Sequence, residues 1–263
     1  MLKIFGKSSI LAAALALSLN AQAGYVVQYQ NSLGDSSDNK NYGNSVFLQY
    51  NTKLDDNWGF NAELLEEFLL QSVNSTDRLK ITHGFFRTNF KRKNLFSFGD
   101  WSGALGIRYF FPTTATMQNQ GSFGSLTFRP EMSKSFGSFS LTTMVVAGPY
   151  LQRRKSAYVG GNAGNPFWIT GLRFVPSYQV NSNVYVAADF LIFNTLSFGA
   201  NGEGTTGTNK IDNEIELGFK GEATANWSVG VVAHSAGTLT GENGSRVYSP
   251  KAFDYNLRFS KEF

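Results

Sequence analysis

Along most of this chain apolar side chains recur at every second position, the spacing at which a strand returns to the same face. Residues 184–196 carry the plainest case, with Val184, Val186, Ala188, Phe190 and Ile192 on one parity and Asp189 on the other. The same alternation runs through 101–111, where Leu105, Ile107, Tyr109 and Phe111 oppose Ser102, Ala104, Gly106 and Arg108. Residues 24–33, 45–54, 58–70, 79–90, 122–134, 139–152, 166–180, 211–223, 227–239 and 252–263 repeat it, which predicts about twelve strands.

Two kinds of connection alternate between them. Tight turns are expected at 55–57, 135–138, 181–183 and 225–226, and a longer basic one, Lys91 to Asn94, after Phe90. Polar loops rich in Gly, Asn, Ser and Thr occupy the intervening positions, including 34–44, 153–165 and 197–210. An aromatic residue follows several tight turns closely: Trp58, Phe139, Trp227. The run Leu64-Leu65-Glu66-Glu67-Phe68-Leu69-Leu70 would pass locally for an amphipathic helix. Its flanking turns and strands favour a strand, with Glu63 and Glu67 on one face, Glu66 on the other, and a bulge near Glu66.

Residues 1–23 read as a secretory signal: Lys3 and Lys7, then an apolar run from Ile10 to Leu19, then the small-x-small sequence Ala21-Gln22-Ala23. That run is too short to span about 30 Å of hydrocarbon as a helix, and no other window holds the roughly 20 apolar residues a spanning helix needs. Any membrane span must then be a closed sheet, which satisfies every backbone polar group. The composition suits that: 27 Gly, 24 Phe and 15% aromatic residues at a mean hydropathy of −0.20 fit a lipid-facing band around a polar interior. The sequence therefore predicts a signal peptide (1–23) followed by an all-β, transmembrane, antiparallel up-and-down β-barrel of about 12 strands (24–263). With no cysteine there is no disulfide framework. Taking Lys3 and Lys7 from the 23 Lys and Arg leaves 21 basic against 19 acidic residues, a net +2, and no linear basic patch points to nucleic acid.

The last stretch sharpens this. Phe253, Tyr255, Leu257, Phe259 and Phe263 share one parity, and Asp254, Asn256, Arg258, Ser260 and Glu262 the other. This segment resembles the terminal strand of bacterial outer-membrane β-barrels, in which a final Phe closes an alternating aromatic strand and helps the insertion machinery recognise it. Lys261 departs from that pattern, at an outward position from which a long amine can snorkel to the headgroups. The resemblance implies an outer-membrane location, lipid and lipopolysaccharide around the barrel, engagement of the barrel-assembly machinery through the terminal strand, periplasmic short turns and extracellular long loops. By strand count the chain is similar to twelve-stranded channels for nucleosides or acidic oligosaccharides, but no motif selects either.

If the apolar parity faces lipid, the opposite parity faces a lumen. Arg87, Arg108, Arg129 and Arg173 fall on it from four different strands, Glu63 and Glu67 from an early one, and Asp189, Asp212, Glu214, Glu216 and Glu222 from later ones. A basic wall facing an acidic wall would focus a field across a narrow passage. The same residues could instead brace a small barrel with mutual salt bridges. Twelve strands tilted near 40° give a backbone cylinder of roughly 24 Å and an opening on the order of 10 Å, enough for a nucleoside or sugar. The primary expectation is a porin-like channel for small polar or charged solutes. The alternatives are a closed barrel acting through its loops and a lipid-modifying enzyme. Catalytic groups are scarce: His234 is followed directly by Ser235 on the opposite parity, and His83 by Gly84 and Phe85, neither spaced as a His–Ser pair on one face. No metal-ligand cluster, phosphate-cradling motif or cofactor site is visible, and Asp35 to Asn41 lacks the central Gly and closing Glu of a calcium loop.

Overall fold

The computed structural model describes residues 23–33, 42–71, 80–113, 117–118, 121–155, 164–199, 202–221, 226–238 and 254–263. They form twelve antiparallel strands: β1 (Ala23–Leu33), β2 (Tyr42–Lys53), β3 (Trp58–Gln71), β4 (Lys80–Phe98), β5 (Trp101–Phe111), β6 (Ser122–Phe136), β7 (Phe139–Gln152), β8 (Pro166–Gln179), β9 (Val184–Phe198), β10 (Thr205–Lys220), β11 (Trp227–Thr238) and β12 (Asp254–Glu262). Each strand pairs with its sequence neighbours, and β12 returns to β1, closing the barrel. At that closure the Phe263 N–H donates to the Tyr25 carbonyl at 2.8 Å, and the Tyr25 N–H to the Phe263 carbonyl at 3.2 Å. Residues 1–22 of the expected signal lie outside the described residues, as does Glu222.

Closure removes the sheet edges, so the barrel has only an outside and an inside. The outside is apolar: Leu48, Phe90, Phe128, Val145, Leu172, Ile192, Leu217, Val231, Leu257 and Phe259, from nine different strands, are all exposed there. Among the described residues no helix is long and apolar enough to cross a membrane; the strands carry the lipid-facing surface instead. Near the short turns the aromatics gather into a girdle, with Trp101 against Phe136, Phe136 against Phe139, and Phe219 against Trp227, at ring separations of 6.1, 6.1 and 5.8 Å.

The turns follow local chemistry. In β2–β3 the Asp55 carboxylate accepts from the N–H groups of Asn57 and Trp58, both at 2.7 Å. In β8–β9 the Asn181 side chain does the same for Asn183 and Val184. The β6–β7 hairpin turns at Gly137, whose φ of +61° suits glycine in a two-residue turn.

Three expectations need correction. The turn at Lys91 to Asn94 is strand: β4 runs on to Phe98 through an irregularity between Arg92 and Phe96, and the chain reverses at Gly99-Asp100. Pairing with β5 absorbs the extra residues, with Asn94 in the left-handed region at φ +51°. The loop expected at 197–210 is mostly strand, because β9 continues to Phe198 and templates Thr205 to Lys210 on β10 despite their polarity. The bulge near Glu66 is present, but the extra residue is on β4: Leu65 pairs with Phe85 and Glu66 with His83, skipping Gly84. A Cβ on Gly84 would sit 2.8 Å from the Leu65 side chain.

Candidate lumen site

Alternation delivers Arg87, Arg108, Arg129 and Arg173 to the interior from β4, β5, β6 and β8. Their positions step diagonally: Arg87 is paired with Phe110, two residues from Arg108, and Arg129 with neither Arg108 nor its partner but with Gly106. In strands tilted near 40°, moving one strand across climbs roughly 3 Å, while two residues back along the strand drop about 5 Å. The two displacements partly offset each other, leaving a step of about 2 Å per strand, so the arginines form a gently sloping belt. Asp189 on β9 and Glu214 and Glu216 on β10 extend it around the wall.

The belt is ion-paired almost throughout. Glu63, only 4% exposed, accepts from Arg87 Nε and has Arg108 Nη2 at 3.7 Å. Arg173 grips Asp189 with both arms of its guanidinium, the Nε–Oδ1 bond being 2.7 Å. On the far side stands a residue the sequence reading did not place in the lumen set, Arg258 of β12. Its Nη1 donates to both Glu214 and Glu216, the latter at 2.6 Å, and its Nη2 reaches Gln30 at 3.2 Å. Tyr185 donates to Glu216 at 2.5 Å. Gly230 makes room for this cluster, because a Cβ there would meet Glu216 Oε1 at 2.5 Å. Nearer the turns Lys91 pairs with Glu131, and nearer the loops His234 Nε2 lies 2.8 Å from Asp212 Oδ1.

The expected picture of a basic wall opposite an acidic wall is thus too simple. Basic and acidic arcs adjoin at Arg173–Asp189, and Arg258 neutralises the acidic arc from the middle. The alternation of β12 had put Arg258 on the polar face; that it meets Glu216 depends on the register of β10, β11 and β12, which no local pattern reveals. Glu67 faces inward too, but sits toward the loop end beside Ser45, exposed and away from the belt.

One guanidinium stands apart. Arg129 is 6% exposed and, among the described residues, has no carboxylate within ion-pair distance. Arg108 Nε beside it is buried with no hydrogen-bond partner. Above the belt opens a cavity of about 750 Å³. Its floor carries the arginines together with Asp189 and Glu214, and its wall is mixed: Phe47, Leu65, Phe85, Phe110 and Leu191 are apolar, and Gln28, Ser125, Thr127 and Tyr150 polar. Met117, from the β5–β6 connection, lines it as well. Among the described residues no group of three His, Asp or Glu side chains could hold a metal ion.

No protein-family model matches the chain, and no curated protein is detectably similar in sequence. Its fold is shared with solved structures. An outer membrane channel from Pseudomonas putida F1 superposes with a TM-score of 0.63 at 16% identity, over 92% of this chain and 96% of that one. The NanC porin gives 0.54 at 8% identity, over 89% and 97%. The chain has the fold of bacterial outer-membrane β-barrel channels.

Proposed function

We propose that the chain is a narrow diffusion channel of the bacterial outer membrane, passing small polar or charged solutes and favouring anions. One observation carries this reading: in the belt five guanidiniums (Arg87, Arg108, Arg129, Arg173, Arg258) meet four carboxylates (Glu63, Asp189, Glu214, Glu216), and the unmatched charge is at Arg129. A charge held in a pore with low-dielectric walls selects among ions by sign. The apolar exterior supports insertion in lipid, with lipopolysaccharide around the outer leaflet. The pairing of Phe263 at the barrel closure supports presentation of β12 to the assembly machinery.

A specific feature favours the closed-barrel alternative, in which the loops do the work. Glu63, Arg129 and Glu131 are all buried, so side chains fill the β3–β6 side of the lumen more than an open cylinder would imply. Planar-bilayer recording on purified protein separates the two. Discrete conductance steps with a reversal potential displaced toward the anion limit under a salt gradient support the channel. Silence across repeated insertions refutes it.

A further inference from the structure

The cavity above the belt is unusual for a passage that handles only hydrated ions. Phe47, Phe85 and Phe110 point inward from β2, β4 and β5, with edge-to-face contacts of 6.4 Å (Phe47–Phe85) and 6.3 Å (Phe85–Phe110). The arginines interleave with them. Arg87 lies 4.2 Å over the Phe85 ring and 5.5 Å over that of Phe110, and Arg108 6.0 Å over Phe110 from its other neighbour position. Aromatic faces therefore alternate with guanidinium planes, and at the end of that row stands Arg129, buried and, among the described residues, without a carboxylate partner.

Deepening the channel reading, on which it rests, we infer that this cavity is a saturable binding site for a planar aromatic ring bearing one carboxylate. The carboxylate occupies the Arg108–Arg129 corner, where two guanidiniums share too little negative charge and planar N–H donors match its two oxygens. The ring lies offset or edge-on against Phe85 and Phe110, the arrangement aromatic quadrupoles favour. Leu65 and Leu191 extend the apolar enclosure. Ser125 and Thr127 beside the corner can take a hydroxyl, but Phe85, Phe110 and Leu65 offer the rest of a hydroxylated acidic sugar no partner, and polar groups that lose water without replacement are penalised. At about 750 Å³ the cavity holds such a molecule with room for water.

The test uses refolded full-length protein and four probes: benzoate, acetate, glucuronate and benzyl alcohol. Binding is read by equilibrium dialysis in detergent, and occupancy by inhibition of chloride current in planar bilayers. Benzoate is expected to bind saturably and at least tenfold more tightly than each of the other three. Arg129→Ala should weaken benzoate at least tenfold, with part of the loss restored by Arg129→Lys. Phe85→Leu and Phe110→Leu should weaken benzoate severalfold and leave acetate unchanged; these carry the test if Arg129→Ala fails to show the heat-modifiable gel mobility of a folded barrel. Conductance with benzoate no better than acetate overturns the aromatic site and leaves the channel standing. Benzyl alcohol or glucuronate equal to benzoate overturns it as well. A barrel that conducts nothing yet ranks the probes as expected upholds the site and removes the channel.

Discussion

Replacing Arg129 by alanine isolates the electrostatic term of the proposed channel. Most arginines of the belt cannot be removed cleanly. Without Arg173, Asp189 loses its forked partner; without Arg258, Glu214 and Glu216 face each other unshielded. Removing one partner leaves a part-buried charge without its counterion, which confuses selectivity with folding. Among the described residues Arg129 leaves no paired carboxylate behind, and the loss of Arg108 leaves Glu63 still bonded to Arg87. A unit charge about 5 Å from the ion path acts with about 0.8 kcal/mol in a water-like dielectric. It acts oppositely on anion and cation, so their permeability ratio should change by about 1.6 kcal/mol, on the order of tenfold or slightly more. Arg129→Ala and Arg108→Ala should each move the reversal potential toward the cation limit in a tenfold salt gradient. The shift should shrink as the bath approaches 1 M salt, where the Debye length falls to about 3 Å. Glu63→Gln supplies the opposite sign, since it frees Arg87 and Arg108 and should move the potential toward anions. If both arginine variants conduct with the wild-type reversal potential, these side chains do not line the path. If Glu63→Gln and Arg129→Ala shift it the same way, local charge is not what selects.

Gly230→Ala should push Glu216 away from Arg258 and lower stability by about 1–3 kcal/mol, as overpacking does, read as the urea midpoint of protein in lipid vesicles. An unchanged midpoint would mean that the cluster can shift freely. Deleting Phe263 removes two hydrogen bonds at the barrel closure, worth about 1–2 kcal/mol together. Its larger effect should be on insertion yield in cells, and a yield equal to wild type would count against recognition through this residue. For orientation, a cysteine replacing Glu203 in the β9–β10 connection should react with an impermeant maleimide on intact cells. One replacing Ser182 should react only after the outer membrane is opened, and the reverse pattern inverts the barrel.

Much of this molecule is legible in its sequence because a strand has only two faces. The parity of Leu105, Ile107 and Tyr109 against Arg108, repeated in strand after strand, already implies an apolar outside and a polar inside, and a single arginine turned toward lipid would cost about 2–4 kcal/mol near the midplane. That penalty is why Arg87, Arg108, Arg129 and Arg173 could be assigned inward without coordinates. Phe47 and Phe85 stand on the inward parity too, but nothing in the alternation sets them apart from their polar neighbours. Register was not legible. Pairing between strands depends on turn lengths and irregularities such as the skipped Gly84 and the displaced turn at Gly99, and each of these slides one strand past the next. Only those offsets decide that Arg258 meets Glu214 and Glu216 across β11, that Glu63 is shared by Arg87 and Arg108, and that Arg129 has no carboxylate partner among the described residues. Alternation along a strand sets which way a side chain points. The depth at which it sits, and so whom it meets, is a property of the closed barrel as a whole.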